Sequence, residues 1–579
     1  MNVSYKYAEP SRCLQQPGKT VLGLCPDLNR DEEVSFKGAL KHPLVFRDAM
    51  LMLREIVISD ARQKKKERVE FFDWLNREIE MRMQLREGYI SGMREQIQNQ
   101  INDSRDEMAR LDGEIKKLMR VSQRMRKELD KHDVWKDFYI LERKFWQFLR
   151  ERDQSLWFVL DPVITVHPDQ VTFEAFSIDE SIYGCLSVNM DEFKLASEPK
   201  LGTTNIDFSA KLAKEMERFR TYTNVELSIN PGGFTVDTGQ SPEYMEKKID
   251  LPETWIKGFN QVSSAANLNG ISVELAPVDI YDICSFLRKH KEKKSPRYMK
   301  WILAKGKPVR IIFEPYGTEL VLNAVYNGEK DREEKIWGRR RWLVTERLLP
   351  IAKSFTIKLL GFGMPQFITA DIGNMKMTIG LSSWSSNDWV KGTAFNVMSG
   401  FIGDKGYDDV YKLLKQHRFM SVEDICSALG TNRTQTLPGI GGVLKRGEGY
   451  VDANDGLVRF RRLCSEPIPK ELYQTTEVER KVRKLMAKGM DDFSVSMSEN
   501  GEYAFKNKYD KEKTELIIDE DGQVSKLKCS CSGFNRGPRN ISAPCPHLLA
   551  LYMRSTKFTG LELKRYKEYK TDDIMEFLL

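Results

Sequence analysis

The residues with the clearest chemistry lie close to the C-terminal end of the sequence. Cys529-Ser530-Cys531 is followed, after thirteen residues, by Cys545-Pro546-His547. Three thiols and an imidazole form a donor set that Zn2+ takes in tetrahedral sites, at about 2.3 Å to sulfur and about 2.0–2.1 Å to nitrogen. Four protein ligands leave no position for water or substrate, so the spacing predicts one structural zinc. A CxC pair presents both sulfurs where a strand ends and turns. Pro546 suits the first turn of a helix that would bring Cys545 and His547 to the same centre. The preceding Leu516–Lys528 reads as a hairpin turning at Asp521-Gly522. The other six cysteines are dispersed, mostly within apolar segments, and read as core thiols.

Cation clusters are the second kind of candidate. Arg339, Arg340 and Arg341 stand between Trp337 and Trp342, a combination that holds phosphates and stacks bases. The competing reading puts the tryptophans in a core and leaves the arginines solvated or paired with Glu333 and Glu334. Arg459, Arg461 and Arg462 follow an Asp455-Gly456 turn, and Arg536 and Arg539 lie in the loop between the two ligand pairs. All are candidates for phosphate contact, as are Arg554 and Lys557 on the last helix. Gly18-Lys19-Thr20 imitates the end of a phosphate-binding loop, but position 13 is Cys13 and no strand precedes it. No HExxH, GxSxG, complete P-loop or dinucleotide glycine fingerprint occurs, and only His547 of six histidines sits in a motif. The sequence therefore predicts a non-enzyme.

At 579 residues the chain is too long for one core and is expected to fold as several domains. It is 41% hydrophobic and 30% charged, which excludes wholesale disorder, and no apolar run approaches the ~20 residues of a membrane helix. No signal sequence opens it, so a reducing cytoplasm is expected. The net charge of +7 permits phosphate binding without requiring it.

The predicted fold class is multidomain α+β. Residues 1–42, punctuated by proline and glycine, read as an extended N-terminal segment. Residues 43–150 read as a helical coiled-coil insertion. Ile97, Ile101, Met108, Leu111, Ile115, Leu118, Met125 and Leu129 mark its heptad seam, and Gly88 and Gly92 its fold-back into a hairpin. Between 61 and 130 there are 17 basic and 14 acidic residues, so this is no phosphate-binding stripe, though it is a route to oligomers. Residues 151–403 form an α+β body with mainly antiparallel pairing, including a hairpin at Gly373-Asn374.

Residues 404–464 read as a winged helix: Tyr407–Gln416, a second helix capped by Ser421 and ended by Gly430, a third segment over Thr431–Arg446, and a hairpin. Pro438, Gly439, Gly441 and Gly442 are expected to break that third segment, which argues for a docking module as strongly as for a DNA reader. Residues 465–579 hold the finger, of ββα type, and its C-terminal helix.

The CxCxnCxH pattern after a hairpin and before a helix resembles the SWIM zinc finger, with Cys529, Cys531, Cys545 and His547 as the matching ligands. WGRRRWLVTERLLP (337–350), MTIGLSSWSSNDW (377–389) and DLPETWIKGF (250–259) look like bacterial SWIM zinc finger family proteins. That resemblance spans roughly 150–555. It implies association with a MoxR-type AAA+ ATPase and a von Willebrand factor A-domain protein. The helical insertion departs from the family pattern. The resulting expectation is a zinc-binding, non-enzymatic adaptor in a bacterial cytoplasmic complex. The alternatives are a DNA-binding protein using the winged helix and finger, and an enzyme with an unrecognised site.

Overall fold

The computed structural model describes residues 11–16, 19–28, 33–59, 162–206, 208–231, 253–291, 297–361, 364–382, 389, 394–464, 468, 477–487, 493–497, 502–509, 511–518, 524–532, 534 and 544–555. They belong to one compact unit, drawn from Met1–Arg62 and Phe158–Leu579. The seam of the predicted coiled coil lies outside the described residues, as do Arg536, Arg539 and Lys557, whereas Pro43–Ile58, which the sequence reading placed at the start of that insertion, is a helix buried in the core.

The class is mixed α+β on several sheets. The largest sheet has eight strands in the order Ile271–Leu275, Ser354–Leu359, Gln366–Asp371, Met375–Leu381, Ile182–Asn189, Gln170–Phe176, Val163–Val166 and Gly202–Asn205, all antiparallel. Alternation of β-branched and aromatic residues makes these strands, and the expected Gly373 turn is present at φ +87°. The two halves of the sheet join where Ile182 pairs with Leu381, a contact between distant parts of the chain. Helix Pro43–Ile58 packs on this sheet through Phe46, Ala49, Met50, Leu53 and Ile56, all fully buried.

The N-terminal segment does more than lead in. Arg12–Gln16, Lys19–Leu24 and Phe36–Leu40 are strands of a five-stranded sheet completed by Asn224–Ile229 and Phe193–Leu195. Lys19, from the false phosphate loop, is paired with Glu226 at 3.1 Å. A four-stranded sheet (Thr318–Val325, Pro308–Phe313, Met299–Leu303, Arg332–Ile336) carries Trp301, whose ring lies 5.7 Å from that of Trp342.

Residues 404–464 form three helices, Tyr407–His417, Val422–Leu429 and Arg433–Lys445, beside a sheet of Phe419–Met420, Val458–Phe460 and Gly449–Val451. The expected break at Pro438 does not occur. Arg433–Lys445 is one helix with a capping box at Asn432 and Gln435, and Pro438 sits inside it. Its glycines serve close approach instead of bending. A Cβ on Gly441 would stand 2.7 Å from the Phe401 carbonyl oxygen, and one on Gly439 2.8 Å from that of Gly406.

The last part of the unit is a four-stranded antiparallel sheet, Ser494–Met497, Tyr503–Tyr509, Glu512–Ile518 and Val524–Cys529, with helices Glu477–Ala487 and Pro546–Ser555. It is larger than the single hairpin that the sequence indicates. Arg554 donates to the carbonyls of Leu485 and Met486 at 3.2 Å, locking one helix to the end of the other. Several contacts join this module to the rest, among them the packing of helix Pro546–Ser555 against helix Ala394–Met398. Lys445 and Glu479 form a buried ion pair at 2.9 Å. Gly361, at φ +107°, bridges Val524, whose carbonyl oxygen would lie 2.5 Å from any Cβ there. Among the described residues, no helix is long and apolar enough to cross a membrane.

Candidate metal centre

The strand Tyr503–Tyr509 alternates Tyr503, Phe505, Asn507 and Tyr509 on a buried face with Lys506 and Lys508 on an exposed one. The buried face receives helix Pro546–Ser555 through Leu548, Leu549, Leu551 and Tyr552. This packing delivers the ligands. Cys529 is the last residue of its strand and pairs with Thr514. The chain then turns at Ser530, whose amide donates to the Lys513 carbonyl at 3.0 Å and whose hydroxyl accepts from the Lys513 amide at 2.9 Å. Cys531 follows on that turn. Cys545 stands just before the helix, its carbonyl accepting the Leu549 amide at 3.0 Å, and His547 lies in the first turn.

The four donor atoms all lie within 4.8 Å of one another. Nδ1 of His547 is 3.8 Å from Cys529 Sγ and 3.9 Å from Cys545 Sγ. A tetrahedral centre with the bond lengths of zinc would set these nitrogen–sulfur edges at about 3.5–3.6 Å, so the spacing comes within a few tenths of an ångström of one tetrahedral ion. The three thiols are buried, and the half-buried His547 ring stacks on Tyr509 at 6.1 Å. The Cys529 thiol is pulled down to about 5, first by a hydrogen bond from Cys545 and also by the Cys531 amide. Cys545, the donor, is pushed up in turn, and burial raises Cys531. Thiols must lose their protons to bind a metal, so metal affinity at this group rises with pH. The geometry establishes a Cys3His group able to hold one metal ion.

The arginine candidates are placed differently. Arg459 is 1% exposed and bonded to three carboxylates: Asp169 at 2.9 Å, Asp452 at 3.0 Å and Asp455 at 2.6 Å. Arg461 is 2% exposed, paired with Glu174 and lying over the rings of Phe259 at 4.4 Å and Tyr450 at 4.7 Å. Both guanidiniums are buried and ion-paired within the protein, away from solvent. Both charges cross from the hairpin to the eight-stranded sheet. There burial first, and then Arg459, Arg461 and Arg418, hold His167 well below its usual range, so its neutral Nε2 meets the Tyr450 hydroxyl at 3.1 Å. Arg462 is half-buried, its amide donating to Thr203.

Arg339 and Arg341 are buried too. Arg339 donates to the Glu314 carbonyl, and Arg341 to Ser181 and Ser382. Burial lowers the Arg341 guanidinium to about 10, with Asp179 acting against the shift. Arg340 is exposed and donates to the Leu287 carbonyl at 3.0 Å. Trp342 is buried, with its indole N–H on Gln366 at 3.1 Å. Arg554 is likewise a buried cap. The cations that do reach solvent around the metal group are lysines that sequence reasoning passed over: Lys506, Lys508, Lys513, Lys526 and Lys528. Their signal was the lysine at every second position of an aromatic strand.

No protein-family model matches the chain, and no curated protein does. Among solved structures it is similar to the proliferating cellular nuclear antigen of Entamoeba histolytica, with 11% identity, a TM-score of 0.28, and 38% of this chain and 89% of that one covered. It is also similar to the PCNA2–PCNA3 complex of Sulfolobus tokodaii (8% identity, TM-score 0.27, 38% and 89%). A third is A. fulgidus PCNA bound to the C-terminal region of FEN-1 (12%, 0.27, 39% and 90%). Likenesses this slight have no bearing on the function.

Proposed function

We propose that this protein is a non-enzymatic adaptor whose C-terminal module is a SWIM-type finger built around one structural zinc. The observation that supports the reading is the donor set: Cys529, Cys531, Cys545 and His547 converge within 4.8 Å of one another, and four protein ligands on one tetrahedral ion would leave no coordination position for a substrate. Three thiolates and an imidazole favour zinc over the hard cations, which take oxygen. Residues 404–464, read as a winged helix, serve docking better than DNA reading, because Arg459 and Arg461 are neutralised inside the protein and the third helix is buried from Gly439 to Lys445. Protein partners in a bacterial cytoplasmic complex follow from the family resemblance, with an AAA+ ATPase and a von Willebrand factor A-domain protein as the first to try.

The test is metal analysis of the purified chain and of Cys545→Ser. Native protein should hold about one zinc per chain. The variant should release it and lose hydrogen-exchange protection over the last ~60 residues, while the eight-stranded sheet stays protected. Full zinc content in the variant would remove Cys545 from the ligand set and with it this reading.

A further inference from the structure

Where residues 404–464 meet the eight-stranded sheet there is an open cleft of about 960 Å3. One wall is residues 266–272, which run from the end of helix Glu253–Ala266 into the edge strand Ile271–Leu275. Another is the start of helix Val422–Leu429 with the turn at Asp455-Gly456. That is room for a compact organic molecule, at the kind of module boundary where such sites form. Leu268, Ile271, Val422 and Leu457 give the cleft an apolar side.

Lys358 lines the same cleft from the second strand of the sheet, directly opposite Ser272 on the edge strand. Its ammonium is half-buried and donates to the Ala266 carbonyl at 2.8 Å; among the described residues no carboxylate pairs with it. Burial lowers the amine below its usual value, and no neighbouring charge acts against that shift. Helix Glu253–Ala266 has no basic residue in its last turn, so Lys358 serves as its cap. Capping uses one of three ammonium donors, and a helix end offsets only about half a charge. Two donors and the rest of the charge are left for what enters the cleft. The carboxylates on the walls are engaged or set apart: Glu423 is bonded to Arg433, Asp455 to Arg459 at 2.6 Å, and Glu329 is exposed. A cation held this way is matched by an anion from outside the chain.

We infer that this cleft binds a small organic anion, its carboxylate or phosphate group on Lys358 and Ser272 and its apolar body against Leu268, Ile271, Val422 and Leu457. This goes beyond the adaptor reading and uses none of the metal module. A ligand there touches the eight-stranded sheet and residues 404–464 at once, and so ties the two together.

The experiment follows amide hydrogen exchange of the full chain against rising benzoate, phenyl phosphate and benzamide, the last a neutral isostere of the first. A ligand that binds only the closed form slows local opening by about elevenfold at ten times its Kd. Benzoate or phenyl phosphate should slow exchange saturably in both Ile271–Leu275 and Val422–Leu429 and leave Glu512–Ile518 unchanged; the stronger of the two names the headgroup. Benzamide, lacking the charge, should bind about tenfold more weakly or worse. Lys358→Gln keeps a donor for the Ala266 carbonyl and removes the charge, so it should weaken both anions by about tenfold or more while leaving exchange in Glu253–Ala266 native. A lysine that only caps the helix would show neither effect. The proposal is overturned if neither anion protects the two segments, if benzamide protects them as well as benzoate does, or if the folded variant binds the anions as the native chain does. The comparison of benzoate with benzamide decides the matter even if the variant folds poorly.

Discussion

Replacing Arg461 with methionine tests whether the hairpin arginines hold the protein together or bind a ligand. The side chains of Arg461 and Glu174 are each about 1% exposed, and the carboxylate also accepts the Tyr183 hydroxyl at 2.7 Å. Arg461→Met leaves a buried carboxylate with one neutral donor, and breaking such a pair costs about 3–5 kcal/mol. The guanidinium also lies over Phe259 and Tyr450, and losing those contacts adds about 1–2 kcal/mol in a desolvated site. Methionine restores part of the packing. A net loss of about 4 kcal/mol corresponds to local opening roughly a thousandfold more frequent. The chain has several cores, so the assay is amide hydrogen exchange on Gln170–Phe176 and Val458–Phe460 rather than one melting temperature. Arg461→Met/Glu174→Leu removes both charges and should regain most of the loss. The reasoning fails if the single variant opens less than about fivefold more often, near 1 kcal/mol.

Two further outcomes follow from packing and titration. Gly441→Ala gains about 1 kcal/mol of helix propensity, yet its methyl would press on the Phe401 backbone, which has no rotamer to yield; a net loss of about 1–3 kcal/mol is expected, and faster exchange in Arg433–Lys445 would show it, whereas a stabilised helix would not fit this packing. Burial raises the Glu448 carboxyl, which accepts the Tyr407 hydroxyl at 2.6 Å. A carboxyl raised by folding contributes stability below its unfolded value and loses it as pH rises through the folded value, so residues 407–448 should become less protected from the carboxylate range upward. Glu448→Gln should flatten that trend, and an unchanged slope in the variant would assign it elsewhere.

Sequence alone reached the elements whose causes are local. The ligand spacing, the Ser421 cap, the Gly430 stop and the Gly373 turn depend on residues within a few positions of one another, and the structure has them where periodicity and turn chemistry put them. It did not reach contacts made by residues far apart in the chain. Alternation at Val458, Arg459, Phe460 and Arg461 reads as one buried and one solvated face. Both are buried here, because Asp169 and Glu174, about 290 residues earlier, supply the countercharges. The glycines after Pro438 read as helix breakers for a similar reason, since the backbone of Phe401 that requires them is not in their own segment. Lys19–Leu24 finds a partner in Asn224–Ile229, a parallel pairing that no hairpin signal announces.

The backbone bridge from Gly361 to Val524 and the ion pair from Lys445 to Glu479 have a mechanical consequence as a pair. A body held at one point can swivel about it and one held at two can turn about the line between them, but here helix Pro546–Ser555 also packs against helix Ala394–Met398, a third contact that opposes such a turn. The Arg554 clasp joins the helix that bears Glu479 to the helix that begins at the metal ligands. A pull on this module thus reaches the rest of the unit through backbone at Gly361 and through a buried charge at the end of helix Arg433–Lys445. The module is less a bead on a string than a handle bolted to its tool.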